Sequence, residues 1–110
     1  MAAVVFICAF NPAVSAEIAT MPQAAAERLL AEVIGAGIAA ANCSSVEISE
    51  VDNDRLTRAT DLLAARLGIS SDDLDGKWYD AAFDEYDADS DAYCAKWGPR
   101  VEAVLKELPR

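Results

Sequence analysis

Apolar residues recur every three or four positions along most of this 110-residue chain. In the most regular stretch they occupy positions 26, 29, 30, 33, 34, 37, 38 and 41. That spacing gathers them on one face of an α-helix. The chain has no strong alternation of apolar and polar residues and no Asn-Gly turn, so β-strands have little support. The pattern predicts an all-α fold.

The first predicted helix runs from about Met21 to Ala41. We expect Thr20 to cap it, because Pro22 suits a first helical turn and Gln23 completes a capping pattern. The stretch Gly35-Ala36-Gly37 lowers helix propensity in its middle. These glycines are expected either to let a neighbouring helix approach closely or to mark a bend.

Two further helices are predicted in the middle of the chain. Asp52 or Asn53 can cap the second, and Gly68 provides its end. Residues 46–49, which precede it, are interpreted as a connection. Ser70 is expected to cap a third helix, on which apolar residues repeat every four positions. These residues are Leu74, Trp78, Ala82 and Tyr86.

The last part of the chain carries another amphipathic pattern, which Ser90 can cap and which continues to Leu108. Proline deletes a helical hydrogen bond, so we expect a kink or two helices meeting at Gly98-Pro99. The expected fold is a small all-α bundle of four or five helices. The aromatic residues expected in or beside its core are Trp78, Tyr79, Tyr86, Tyr93 and Trp97.

The N-terminal residues have the pattern of a signal peptide. Residues 2–10 are apolar and uncharged, and the small side chains of Val14 and Ala16 suit cleavage after Ala16. We therefore predict a signal peptide at residues 1–16, one helical domain at residues 17–110, and a periplasmic or secreted location. The alternative is that the apolar run forms a buried strand or helix. It is too short to span a bilayer, so no membrane span is predicted.

Removal of the predicted signal peptide takes Cys8 with it and leaves Cys43 and Cys94. An even number of cysteines in an oxidising compartment predicts a disulfide between them. Such a bridge would close a loop of about 50 residues and stabilise the fold by about 4 kcal/mol on the chain-entropy model. The alternative is two buried free thiols.

The charge balance and the absence of histidine exclude several functions. The chain has 19 acidic and nine basic residues, a net charge of −10 and no histidine. Nucleic acid is not an expected partner, because duplex binding needs a clustered positive surface. Ser-His and Cys-His nucleophile pairs and histidine-bearing zinc sites are ruled out. We predict no enzymatic activity and no cofactor.

Residues 72–91, the acidic segment, hold nine acidic residues and one lysine. One interpretation is a solvated face that keeps a small secreted protein soluble. We predict instead that this face binds a basic surface of another exported protein, as an inhibitor, immunity protein or assembly subunit would. The predicted binding residues are Asp80, Asp84, Glu85, Asp87, Asp89 and Asp91.

A calcium-stabilised domain is an alternative, because Asp87, Asp89 and Asp91 alternate as oxygen ligands of Ca²⁺ do. The remainder of an EF-hand loop is missing. Ala92 stands in place of its turn glycine, and Gly98 stands in place of its bidentate glutamate.

The sequence Tyr93-Cys94-Ala95-Lys96, followed by Pro99, gives the chain a family resemblance. With its predicted export and disulfide, it resembles small helical periplasmic acid-stress chaperones of the HdeA and HdeB type. It is equally similar to uncharacterised exported helical proteins of bacteria. The first resemblance implies an acid-responsive chaperone. Protonation of the carboxylates below about pH 3 would leave the basic residues unbalanced, and repulsion would open the apolar stripes.

Overall fold

A computed structural model describes residues 12–109 of the chain, with side chains from residue 16 onward. Every regular element within that range is helical, which confirms the all-α prediction. The elements are α1 (Pro12–Ala19), α2 (Gln23–Asn42), α3 (Glu50–Leu67), α4 (Ser71–Asp73), a π-helical segment (Leu74–Tyr79), α5 (Asp80–Ala88), α6 (Ser90–Trp97) and α7 (Arg100–Glu107).

Helix α1 was not predicted, and it crosses the expected signal-peptide cleavage point after Ala16. Most of the predicted signal peptide, residues 1–11, lies outside the described residues. Ile18, on the C-terminal side of the cleavage point, is 1% exposed and belongs to the core. Cleavage after Ala16 would therefore leave this core side chain in place.

Helix α2 is the centre of the bundle and contacts α3, α5, α6 and α7. Its predicted apolar stripe is buried, except that Gly37 is half-buried and Ala41 is exposed. Ala36 and Ala39 are buried as well, although they lie outside the stripe. The buried face is wider than predicted because neighbouring helices cover α2 on more than one side.

The predicted cap of α2 is wrong. The Thr20 hydroxyl donates to the carbonyl oxygens of Ala16 and Glu17, so it hydrogen-bonds the preceding helix instead. Helix α2 begins at Gln23, and Pro22 precedes it without a capping side chain. Proline suits this position because it has no N–H to satisfy.

The cap of α3 also differs from the prediction. Ser49, which the sequence pattern placed in the connection, accepts a hydrogen bond from the backbone N–H of Asp52 at 3.0 Å. The helix therefore starts before the two predicted caps, Asp52 and Asn53. The predicted end is confirmed, since Gly68 adopts a left-handed conformation with φ of 69°. Ser70 caps the next helix as expected.

The C-terminal pattern forms two helices that meet at Gly98-Pro99, one of the two predicted outcomes. Ser90 does not cap α6. Asp89 does, because its Oδ1 accepts from the backbone N–H of Ala92 at 3.0 Å. The apolar residues of the predicted C-terminal pattern that fall in α7, Val101, Val104 and Leu105, are all in the core.

The predicted disulfide is present between Cys43, at the end of α2, and Cys94, within α6. The two Cα atoms are 5.6 Å apart and 51 positions apart in sequence. The bond therefore fastens the central helix directly to the C-terminal pair of helices.

From Ser71 to Ala88 the chain is helical without interruption, and it contributes no fully buried residue. The apolar residues predicted to face inward are half-buried and pack against the core. This part of the chain therefore lies on the outside of the bundle.

Candidate functional site

All nine carboxylates of the acidic segment are exposed. Two of them form ion pairs, Asp73 with Lys77 at 3.7 Å and Glu85 with Lys96 at 2.9 Å. The other seven have no ion-pair partner among residues 16–109. They are Asp72, Asp75, Asp80, Asp84, Asp87, Asp89 and Asp91.

The six predicted binding residues lie on α5, on α6 and at the junction between them. Two of them also stabilise the fold. Asp89 caps α6, and Glu85 joins α5 to α6 through Lys96. The other four, Asp80, Asp84, Asp87 and Asp91, extend exposed carboxylates from the helices.

The three alternate aspartates lie on different parts of the α5–α6 junction. Across the part of the chain that is described, no group of three or more acidic, histidine or cysteine residues is arranged to hold a metal ion. Asp87 is in α5, Asp89 directs its carboxylate to an amide of α6, and Asp91 lies in the first turn of α6.

A half-open cavity of about 310 Å³ lies between α2, the acidic segment and α6, and we call it the α5 cavity. Its walls are mainly apolar. The apolar wall includes Ile34, Trp78, Ala81, Ala82, Tyr93 and Trp97. Lys77 and Glu85 also contribute to the lining.

The inner wall of the α5 cavity depends on close packing at Gly35. A Cβ atom there would overlap the indole ring of Trp97, so only glycine admits this ring against α2. The Tyr93 hydroxyl donates to the Gly35 carbonyl oxygen at 2.8 Å. Burial raises the pKa of Tyr93, and the nearby charge of Glu85 raises it further. Tyr93 is therefore a neutral hydrogen-bond donor at physiological pH.

The Trp97 side chain has one unsatisfied polar atom. The residue is 8% exposed, and its indole N–H is buried with no acceptor among the described residues. The Arg100 guanidinium lies 4.7 Å from the ring centroid, and the Lys96 ammonium lies 5.6 Å from it. Both distances are typical of cation–π contacts.

The α5 cavity was not predicted from the sequence. Its signals were present: Gly35 was expected to allow a close helix approach, and Trp78 and Trp97 were placed on apolar stripes. The close approach is confirmed at Gly35, whereas a Cβ at Gly37 would meet nothing within 4 Å. The space left between two packed helices depends on side-chain volumes in three dimensions, which a periodic pattern does not contain.

No protein-family model, curated protein or solved structure matches this chain. Among the helices of the described region, none is both long enough and apolar enough to cross a membrane.

Proposed function

We propose that this protein is a non-enzymatic, exported interaction module whose acidic segment binds a basic surface of another exported protein. The observation that carries this proposal is the exposure of all nine carboxylates of the segment, with cationic partners for only two among residues 16–109. Like charges held together on a folded surface repel one another. A basic partner would relieve that repulsion, accelerate association and make binding sensitive to salt.

The disulfide supports an exported location for this interaction. A bond between Cys43 and Cys94 persists in an oxidising compartment and is rare in the cytosol. The sequence pattern of a signal peptide at residues 1–16 points the same way. An inhibitor, an immunity protein or an assembly subunit would each use such a stable, acidic surface.

The experiment compares three immobilised proteins in a periplasmic extract. They are the wild type, an acidic-segment triple variant (Asp80→Asn, Asp84→Asn, Asp87→Asn) and a charge-matched control (Glu47→Gln, Asp54→Asn, Asp61→Asn). The three control positions are exposed and make no ion pairs with residues 16–109. We expect the wild type and the control to retain the same basic protein at low salt and to release it at about 0.5 M salt, where charges are screened.

The triple variant should retain none of this protein. Recovery of no partner by the wild type would contradict the proposal, as would equal recovery by the triple variant.

We also propose an acid-responsive chaperone as a second candidate function. The observation in its favour is the outer position of residues 71–88, whose half-buried apolar side chains lie beneath exposed carboxylates. Protonation in acid would break the pairs of Asp73 with Lys77 and of Glu85 with Lys96 and leave the basic residues of the chain unbalanced. Repulsion among those basic residues would then open the bundle and expose this apolar face, while the disulfide keeps the chain together. Suppression of client aggregation at about pH 2 by the oxidised protein is the test. Absence of suppression would rule this function out.

A further inference from the structure

We propose that the α5 cavity receives a large apolar side chain of the basic partner, so that the partner's binding segment combines an aromatic or aliphatic residue with flanking lysines or arginines. This inference rests on the proposed function and specifies the chemistry of the partner.

The size and position of the α5 cavity favour a protein side chain as its occupant. Its volume of about 310 Å³ lies at the bottom of the range of small-molecule sites, roughly 300–1,000 Å³, and it is half open. Small-molecule sites usually enclose most of their ligand. In protein interfaces, by contrast, a few large side chains that fill such depressions supply most of the binding energy.

The cavity wall offers mainly apolar contact. Ile34, Trp78 and Ala82 present apolar surface. The rings of Tyr93 and Trp97, whose centroids are 6.0 Å apart, extend this surface inward. An apolar side chain in this cavity would therefore be removed from water against an apolar wall.

The charges around the cavity suit basic residues on either side of the inserted side chain. Glu85 lies in the lining, and the exposed carboxylates of Asp80 and Asp84 lie on the same helix, within two turns of it. Three cations lie in or beside the wall, and each is paired: Lys77 with Asp73, Lys96 with Glu85 and Arg100 with Glu32. The α5 charges that have no ion-pair partner among residues 16–109 are therefore all negative. A charged rim around an apolar depression is the usual arrangement of a protein-binding site.

The test uses two synthetic peptides, Lys-Lys-Phe-Leu-Lys-Lys and Lys-Lys-Ser-Ser-Lys-Lys, each acetylated and amidated. Binding is followed by the emission of Trp78 and Trp97, the two tryptophans of the chain, and by calorimetry. We expect the apolar peptide to bind the oxidised protein about tenfold more tightly, since burial of one large apolar side chain supplies at least that factor.

The preference should disappear in Ala82→Phe, which fills the cavity, and persist in Ala88→Phe, which adds the same ring at an exposed position outside it. Circular dichroism verifies that each variant is folded. Ala81→Leu, at an exposed position in the lining, provides the same test if Ala82→Phe misfolds.

Equal binding of the two peptides would overturn this inference. If the acidic-segment triple variant weakens that binding and Ala82→Phe leaves it unchanged, the proposed function still stands. Binding of neither peptide would count against both. If cyclohexanol shifts the tryptophan emission and the apolar peptide does not displace it, the cavity is a small-molecule site and the inference is wrong.

Discussion

Gly35 shows how a single small residue determines the position of a helix. Because a Cβ at this position would overlap the Trp97 indole, Gly35→Ala has to displace that ring or separate α6 from α2. Overpacking of this kind costs about 2 kcal/mol, more than the gain of about 1 kcal/mol in helix propensity. We expect urea denaturation to show a net loss of stability.

Gly37→Ala is the matched control in the same helix, because a Cβ atom at this position would meet nothing within 4 Å. It should stabilise the protein by up to about 1 kcal/mol. Equal stabilisation by both substitutions would show that the close approach of Trp97 imposes no constraint.

Also at the residue scale, the carboxyl groups of Glu32 and Glu107 both pair with Arg28. A hydrogen bond that the protonated Glu107 carboxyl donates to Glu32 raises the pKa of Glu107, and burial and the charge of Glu32 add to this effect, while Arg28 opposes it. The folded chain thus binds a proton at Glu107 more tightly than the unfolded chain. The contribution of Glu107 to the free energy of unfolding is therefore most favourable at low pH and is lost as the pH rises through the folded-state pKa of this group.

Glu107→Gln should consequently raise the melting temperature at pH 7, with a difference from wild type that shrinks below about pH 4, where carboxyl groups are protonated. Glu102→Gln, at an exposed position in the same helix, should leave the melting temperature close to that of the wild type both at pH 7 and at low pH. A lower melting temperature of Glu107→Gln at pH 7 would show that the attraction between Glu107 and Arg28 outweighs the repulsion between Glu107 and Glu32.

At the scale of the elements, apolar periodicity and helix breakers predicted most of the fold. The apolar patterns of α2 and of the C-terminal helices, the stop at Gly68 and the break at Pro99 all follow from the types of individual residues and their spacing. The caps were harder to predict, because several suitable side chains are adjacent in sequence. Ser49 competes with Asp52, and Asp89 competes with Ser90, and only the backbone path decides which one meets a free N–H.

Asp89 lies at the junction of α5 and α6, where its side chain caps α6. Asp89→Ala removes the acceptor for the Ala92 N–H and should cost about 1 kcal/mol in urea denaturation. Ser90→Ala, one residue further along, should cost less because Ser90 is not the cap. A larger loss for Ser90→Ala would contradict this assignment.

At the scale of the whole molecule, the acidic segment could be recognised from composition, whereas its relation to the core could not. The count of charges in residues 72–91 indicated an exposed face, which the structure has. The acidic segment also borders the α5 cavity, because it packs against α2 and α6. Side-chain packing of this kind involves residues distant in sequence, about which local patterns carry little information.

The disulfide is the tie on which the stability of the whole chain most depends. It constrains the unfolded chain over 51 positions and joins α2 to α6 in the fold. The double variant Cys43→Ser, Cys94→Ser should lose about 4 kcal/mol in urea denaturation, the chain-entropy value for a loop of this length. Mild reduction of the wild type should have the same effect, and reoxidation should restore its stability. Alkylation of both sulfurs in the native, unreduced protein would contradict the bond itself.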